Sequence, residues 1–249
     1  MVTGAAHGIG EAVARQLADG GARVIAVDRD GPALEKVFAD GAVATHVGDL
    51  ATGSPEELAG SILDRFGPVH LLVNNVGIDT EHSFLGLAED SFDLVFRTNL
   101  RGPWFFTRAL VADLVERDAR GSILFVSSLH DHIVRGLPHY STSKAAVAML
   151  VRELAYELGP HGIRVNAVSP GVIRTARVTE PTPEEAERLQ QLIRLGGRQG
   201  APQDVAGLAA VLLSDEWSGY VTGANVPIDG GLGLHTWSLP ARHGGGATD

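Results

Sequence analysis

Short apolar, β-branched runs alternate with long helical stretches along this chain, and that alternation leaves few folds open to it. The runs fall at residues 23–28, 43–49, 70–74, 122–127, 164–168 and 225–228. Continuous apolar runs of this length read as strands covered on both faces rather than on one. The stretches between them, such as 8–19, 56–66, 91–116 and 141–158, are long enough for crossover helices. Strand, helix, strand repeated in this way predicts a parallel sheet with right-handed crossovers. The expected fold class is therefore α/β: a single-domain Rossmann fold, doubly wound, with helices on both faces.

No internal repeat or linker interrupts the pattern, so one domain is expected over 1–240. Between Thr175 and Gly200 the rhythm breaks into Pro181, Pro183 and a charged helical patch at 184–194. An insertion after a strand's carboxyl end is where a lid over a ligand would sit; a solvated surface helix fits the pattern equally well. The Gly-rich stretch 241–249 reads as a flexible tail.

Composition narrows the function. A formal net charge of −10 argues against a nucleic-acid footprint, which needs clustered positive charge. With no cysteine, disulfides, thiolate zinc sites and cysteine nucleophiles are excluded, in keeping with a cytoplasmic protein. No apolar run is long enough to span a membrane, and none resembles a signal peptide. There are 10 histidines but no H-E-x-x-H or comparable spacing, so no metal is expected.

The run TGAAHGIG, from Thr3 to Gly10, opens an amphipathic helix. Gly4, Gly8 and Gly10 allow a tight turn and bring backbone N–H groups close to a phosphate, with His7 and Ile9 in the same loop. The helix dipole then favours a dinucleotide pyrophosphate. About 20 residues on, a strand ends in Val27-Asp28. A carboxylate at Asp28 accepts hydrogen bonds from the adenosine ribose and repels a 2′-phosphate. Arg29 pulls the other way, since a guanidinium can pair with that phosphate. The balance favours NAD over NADP.

In its motifs and their order the chain resembles the classical short-chain dehydrogenases/reductases over nearly its whole length. The resemblance rests on TGAAHGIG at Thr3, Gly48-Asp49-Leu50, NNVG at 74–77, Thr98-Asn99, VSS at 126–128, YSTSK at 140–144, NAVSPG at 166–171, GYVTG at 219–223 and Asp229-Gly230-Gly231. It implies that Asp49, through its carboxylate, and Leu50, through its backbone, hold the adenine. Asn75 and Gly77 lie in the run that braces the sheet behind the cofactor, and Pro170, Gly171, Ile173 and Thr175 border the nicotinamide. The catalytic tetrad implied is Asn99, Ser128, Tyr140 and Lys144, with Lys144 also bonding the nicotinamide ribose. The resemblance further implies a homotetramer.

Three departures stand out. Only Met1 and Val2 precede Thr3, so the first strand is nearly absent. The serine-to-tyrosine spacing is one residue short from Ser128, and Ser127 would restore it, although strand alignment favours Ser128. The intervening loop is unusually polar, carrying His130, Asp131, His132, Arg135 and His139.

Tyrosine alone is a poor base near neutral pH, its reference pKa being about 10. Lys144, four residues on in a helix, shares its face, and its charge together with that of oxidised nicotinamide is expected to lower that value. Ser128 would donate to the substrate oxygen, and Asn99 would support a water linking Lys144 to solvent. The reaction expected is hydride transfer between NAD and an alcohol/ketone pair. The polar loop, with His82 and the C-terminal Trp237, suits a small sugar or polyol. A 3-oxoacyl thioester is the competing substrate, and a non-catalytic nucleotide-binding protein is the competing class; neither nucleic acid nor membrane is an expected partner.

Overall fold

A computed structural model of the chain describes residues 1–80, 83–134, 136–175 and 182–234. Seven parallel strands form one sheet in the order β3-β2-β1-β4-β5-β6-β7. They are β1 (Val2–Thr3), β2 (Ile25–Asp28), β3 (Ala44–Val47), β4 (Leu71–Asn74), β5 (Gly121–Val126), β6 (Ile163–Pro170) and β7 (Asn225–Ile228). The two-residue β1 is a full member of the sheet: Val2 pairs with Ala26 on one side and Val73 on the other. Strand order reverses between β1 and β4, so their carboxyl ends open the crevice in which ligands of such sheets bind.

The helices are α1 (Gly8–Asp19), α2 (Gly31–Val37), α3 (Pro55–Phe66), α4 (Glu89–Phe96), α5 (Gly102–Glu116), α6 (Pro138–Leu158), α7 (Pro183–Leu192), α8 (Pro202–Leu213) and the single turn α9 (Asp215–Ser218). The sheet divides two cores, and the period of two along each strand sorts its residues between them. On β5, Ile123 and Phe125 face α3, α5 and α6, whereas Leu124 and Val126 face α1, α2 and α8. Phe106 and Ile62 are fully buried in the first core, Val13 and Leu34 in the second. Truncating a side chain such as Phe106 to alanine would cost about 3–5 kcal/mol.

The stretch expected as one helix over 91–116 is α4 and α5 joined by a π turn at Arg97–Arg101. Pro103 has no N–H to offer the Asn99 carbonyl four residues back, which is one cause of the wider turn. Helix α8, hydrophobic nearly all round, packs on α1 and closes the second core. Helix α7 is held at its start by a capping box between Thr182 and Glu185 and buries no residue. Ile193, just after it, is buried. Of the sequence expectations, His82, Arg135, Trp237, the 241–249 stretch and residues 176–181 of the 175–200 insertion lie outside the described residues.

Candidate active site

The glycine loop sits at the carboxyl end of β1. Gly4 and Gly8 have φ of 64° and 57°, the left-handed region that side chains resist. Gly10 is needed for another reason: a Cβ there would meet the Gly4 carbonyl oxygen at 2.2 Å and Asn75 Nδ2 at 2.5 Å. It lets α1 close onto the loop. Asn75 braces the same loop, its Nδ2 donating to the carbonyls of Thr3 (3.1 Å) and Gly4 (3.0 Å). The Thr3 hydroxyl accepts the Asn75 N–H at 3.1 Å, joining β1 to the segment after β4. His7 is the N-cap of α1 and its side chain makes no capping bond, leaving the first-turn N–H donors without a side-chain cap among the described residues.

Asp28, at the end of β2, is buried. Its Oδ2 accepts the Ala6 N–H and its Oδ1 the Asp30 N–H, each at 3.0 Å. Beside it Arg29 is exposed, and Asp30 lies 3.8 Å from His7 Nε2. Asp49 Oδ1 accepts the Ala51 N–H at 2.8 Å. Leu50 is buried, and its carbonyl packs so closely on Gly102 that a Cβ there would come within 2.4 Å. On the far side of the crevice Pro170 ends β6, Gly171 donates to the Ile228 carbonyl, and Ile173 bridges to Gly200. Thr175 reaches the glycine loop, since a Cβ on Gly8 would sit 3.1 Å from its methyl group.

The proposed tetrad converges from three elements. Ser128 follows β5 and caps the 3-10 turn Leu129–Asp131 by accepting the His130 N–H. Tyr140 and Lys144 lie one turn apart on α6, and the Ser128 hydroxyl is hydrogen-bonded to the Tyr140 phenol. Ser127 points elsewhere, to Asp131 at 2.9 Å, so the one-residue-short spacing is absorbed in the turn. Lys144 Nζ donates to the Val126 carbonyl at 2.9 Å and lies 5.8 Å from the centre of the Tyr140 ring. Gly77 makes room for it, a Cβ there standing 3.2 Å from Nζ.

Burial pushes the Tyr140 phenol up to about 12; the bond with Ser128 works against this, and the carboxylates of Asp79 and Asp131 add to it. Burial brings the Lys144 ammonium down to about 8, with Asp131 opposing. Lys144 by itself does not offset this burial, and the expected lowering of the tyrosine value would need the charge of oxidised nicotinamide as well. Desolvation outweighs a charge whose hydrogen bond is spent on a backbone carbonyl.

Sequence reasoning missed several participants. Ser143 links Asn99 Nδ2 (3.0 Å) to the Tyr140 carbonyl (2.7 Å). His139, expected in the polar loop lining the substrate pocket, lies in the first turn of α6 and is buried with Nε2 2.7 Å from the Thr80 hydroxyl. Asp131 is a buried network centre. The last two were visible in the sequence as polar residues, and only the turn's path shows that they face inward.

A family model described as enoyl-(acyl carrier protein) reductase matches residues 4–233. The chain is 38% identical over 247 residues to L-rhamnose 1-dehydrogenase (NAD(P)(+)) from Azotobacter vinelandii, covering 93% of this chain and 95% of that one. It is 37% identical over 248 residues to mouse (3R)-3-hydroxyacyl-CoA dehydrogenase, with the same coverage. Among solved structures it resembles an oxidoreductase of the short-chain dehydrogenase/reductase family from Burkholderia thailandensis. There the TM-score is 0.84 at 33% identity, covering 92% of this chain and 90% of that one.

Proposed function

This chain belongs to the short-chain dehydrogenase/reductase family, and on that premise we propose that it interconverts a secondary alcohol and a ketone on a sugar or polyol, with NAD as the cofactor. It is an oxidoreductase of CH–OH groups, and its relatives use NAD(P). The observation that carries the reaction is the Ser128–Tyr140 hydrogen bond with Lys144 one helical turn away.

The residues present fit the dinucleotide. The uncapped start of α1, with Gly4 and Gly8 in left-handed conformations, suits a pyrophosphate, and His7 and Ile9 flank it. Asp28 and Asp30 at the end of β2 disfavour a 2′-phosphate and so favour NAD, with the exposed Arg29 as the opposing influence. Asp49 and Leu50 would hold the adenine. Asn75 and Gly77 would shape the floor, and Pro170, Gly171, Ile173 and Thr175 would border the nicotinamide. Bound NAD supplies the hydride acceptor. The protein's share is the proton: the phenolate of Tyr140 would take it from the alcohol during oxidation, and the phenol would give it to the substrate oxygen during reduction. Ser128 donates to the same oxygen. Lys144 holds positive charge under the phenol, and Asn99 fixes the segment beside it.

A polar substrate is supported by His130, whose ring stands edge-on to Tyr140 at 5.2 Å. Similarity to a rhamnose dehydrogenase points the same way. Similarity to a hydroxyacyl-CoA dehydrogenase supports a second reading, a 3-oxoacyl thioester reductase. The insertion 175–200 would serve as lid over the domain 1–240. Trp104, Met149 and Tyr156, exposed on α5 and α6, would meet sister subunits in a homotetramer. No helix among the described residues is long and apolar enough to cross a membrane, and we place the enzyme in the cytoplasm.

The test is absorbance at the reduced-nicotinamide band with NAD or NADP and a panel of sugars, polyols and 3-hydroxyacyl thioesters. Turnover of a sugar or polyol with NAD is expected. Turnover of thioesters alone would replace the substrate reading, and NAD binding without turnover of any of them would remove it.

A further inference from the structure

Between Ser128 and Tyr140 lies a carboxylate that the reaction as described does not use. The Asp131 side chain is 2% exposed. Its Oδ2 accepts from Ser127 Oγ (2.9 Å), Ser169 Oγ (2.6 Å) and Asn225 Nδ2 (2.7 Å), and its Oδ1 is bonded by His132 Nδ1. His132 belongs to the turn itself, and the three Oδ2 partners sit just past β5, on β6 and on β7. One carboxylate thus ties the far end of the serine-bearing turn to three strands, while the Ser128 hydroxyl holds the near end.

We propose that Asp131 is the positioning residue of this site: its buried carboxylate anchors the Ser128 turn to β5, β6 and β7 and sets a fixed negative charge behind the Tyr140–Lys144 pair. A buried carboxylate survives only with its oxygens well donated to. Here four donors converge on it, and together they draw it below the usual carboxylate range despite burial. Its charge therefore persists through the whole working pH range. It favours the ammonium on Lys144 and the neutral phenol on Tyr140, the form that gives its proton to the substrate oxygen in ketone reduction.

Among the described residues, the charged and titratable groups around this pair come from four places. Helix α6 brings His139 as well as Tyr140 and Lys144, and Arg152 lines a cavity of about 360 Å³ against Asp131, His132 and Asn225. The turn brings His130 and His132, and the segment after β4 brings Asp79. Past β7, Asp229 is engaged by the N–H groups of Gly231 and Gly233. Ser127, Ser169 and Asn225 contribute no charge.

The inference rests on the catalytic reading above, and the test of its charge role needs no substrate. The chain has two lysines, Lys36, which is exposed, and Lys144. With lysine side chains labelled with carbon-13, NMR gives one reference signal and one reporter. In Asp131→Asn, close in shape and able to donate to a neutral His132, the Lys144 titration midpoint should fall below wild type while that of Lys36 stays fixed. Coincident Lys144 midpoints would overturn the charge role. Asn225→Ala leaves the charge in place and loosens the anchor; it should lower kcat several-fold with little change in KM for NAD. Unchanged kcat there would overturn the anchoring role, even if Asp131→Asn failed to fold. Absence of sugar turnover in the wild type would remove the substrate reading and leave the NMR result standing.

Discussion

The side-chain amide of Asn99 pairs with both backbone groups of Ile78, accepting its N–H at 2.8 Å and donating to its carbonyl at 2.9 Å. It acts as a short piece of β-strand, giving an irregular segment after β4 the partners a neighbouring strand would supply. The second amide hydrogen goes to Ser143 on α6, so one residue joins three elements beside Tyr140. Asn99→Ala leaves two backbone groups and a hydroxyl wanting partners, at about 1–3 kcal/mol for each that stays dry. The expected outcome is a melting temperature lower by roughly 5–10 °C together with impaired turnover. A variant melting like wild type would show that Ile78 is held by other means.

Tyr140→Phe removes the proton carrier and keeps the ring against His130. Turnover should fall about a hundredfold or more, while NAD affinity by calorimetry stays within about twofold, the phenol being spent on Ser128 rather than on the glycine loop. In the wild type, because burial holds the phenol protonated to about 12, alcohol oxidation, which needs the phenolate, should speed up as pH rises toward that value, while ketone reduction, which needs the phenol, should stay nearly flat. A flat oxidation profile at alkaline pH would mean that a different group takes the proton.

Asp28 braces the glycine loop through the Ala6 N–H, and in the proposed function it would also meet the adenosine ribose. Asp28→Ala should lower the ratio of kcat/KM for NAD to that for NADP by about tenfold, the worth of ~1.4 kcal/mol. The exposed Arg29 next to it should gain influence in the variant. An unchanged ratio would take Asp28 out of cofactor choice and leave it as a brace.

How far the sequence foretold this structure differs from one element to another. Helix α1 runs over the predicted Gly8–Asp19, because a glycine loop and an amphipathic repeat mark both its face and its start. The strands were legible because runs buried on both faces cannot mimic exposed helices. Helix α2 and helix α8 were not singled out: α2 is only seven residues long, and α8 is too uniformly apolar for a helical stripe to stand out. The choice of Ser128 over Ser127 could be argued from strand position but not from spacing. Only the path of the 3-10 turn sends one hydroxyl to Tyr140 and the other to Asp131. Likewise nothing in the order of residues says that His139 turns inward to Thr80. Local pattern records which face of a regular element is buried, and an irregular loop has no such period.

Lys144 carries the last prediction, because the same burial that suits it to catalysis costs stability. Its folded value, about 8, lies below the 10.5 of the unfolded side chain. Between those values the unfolded chain binds more protons, so stability attributable to this group rises with pH from about 8 to about 10.5. Below about 8 the ammonium is charged in both states, and its desolvation in the core weighs in full against the fold. Two and a half pH units correspond to about 3 kcal/mol, offset in part by the hydrogen bond to the Val126 carbonyl. Lys144→Met, similar in volume and uncharged, should therefore abolish turnover yet raise the melting temperature of the cofactor-free protein at neutral pH. That gain should shrink as the pH is raised toward 10. If the methionine variant melted lower than wild type across that whole range, the Val126 bond would outweigh the desolvation, and Lys144 would be a stabilising residue of the fold as well as a residue of the site.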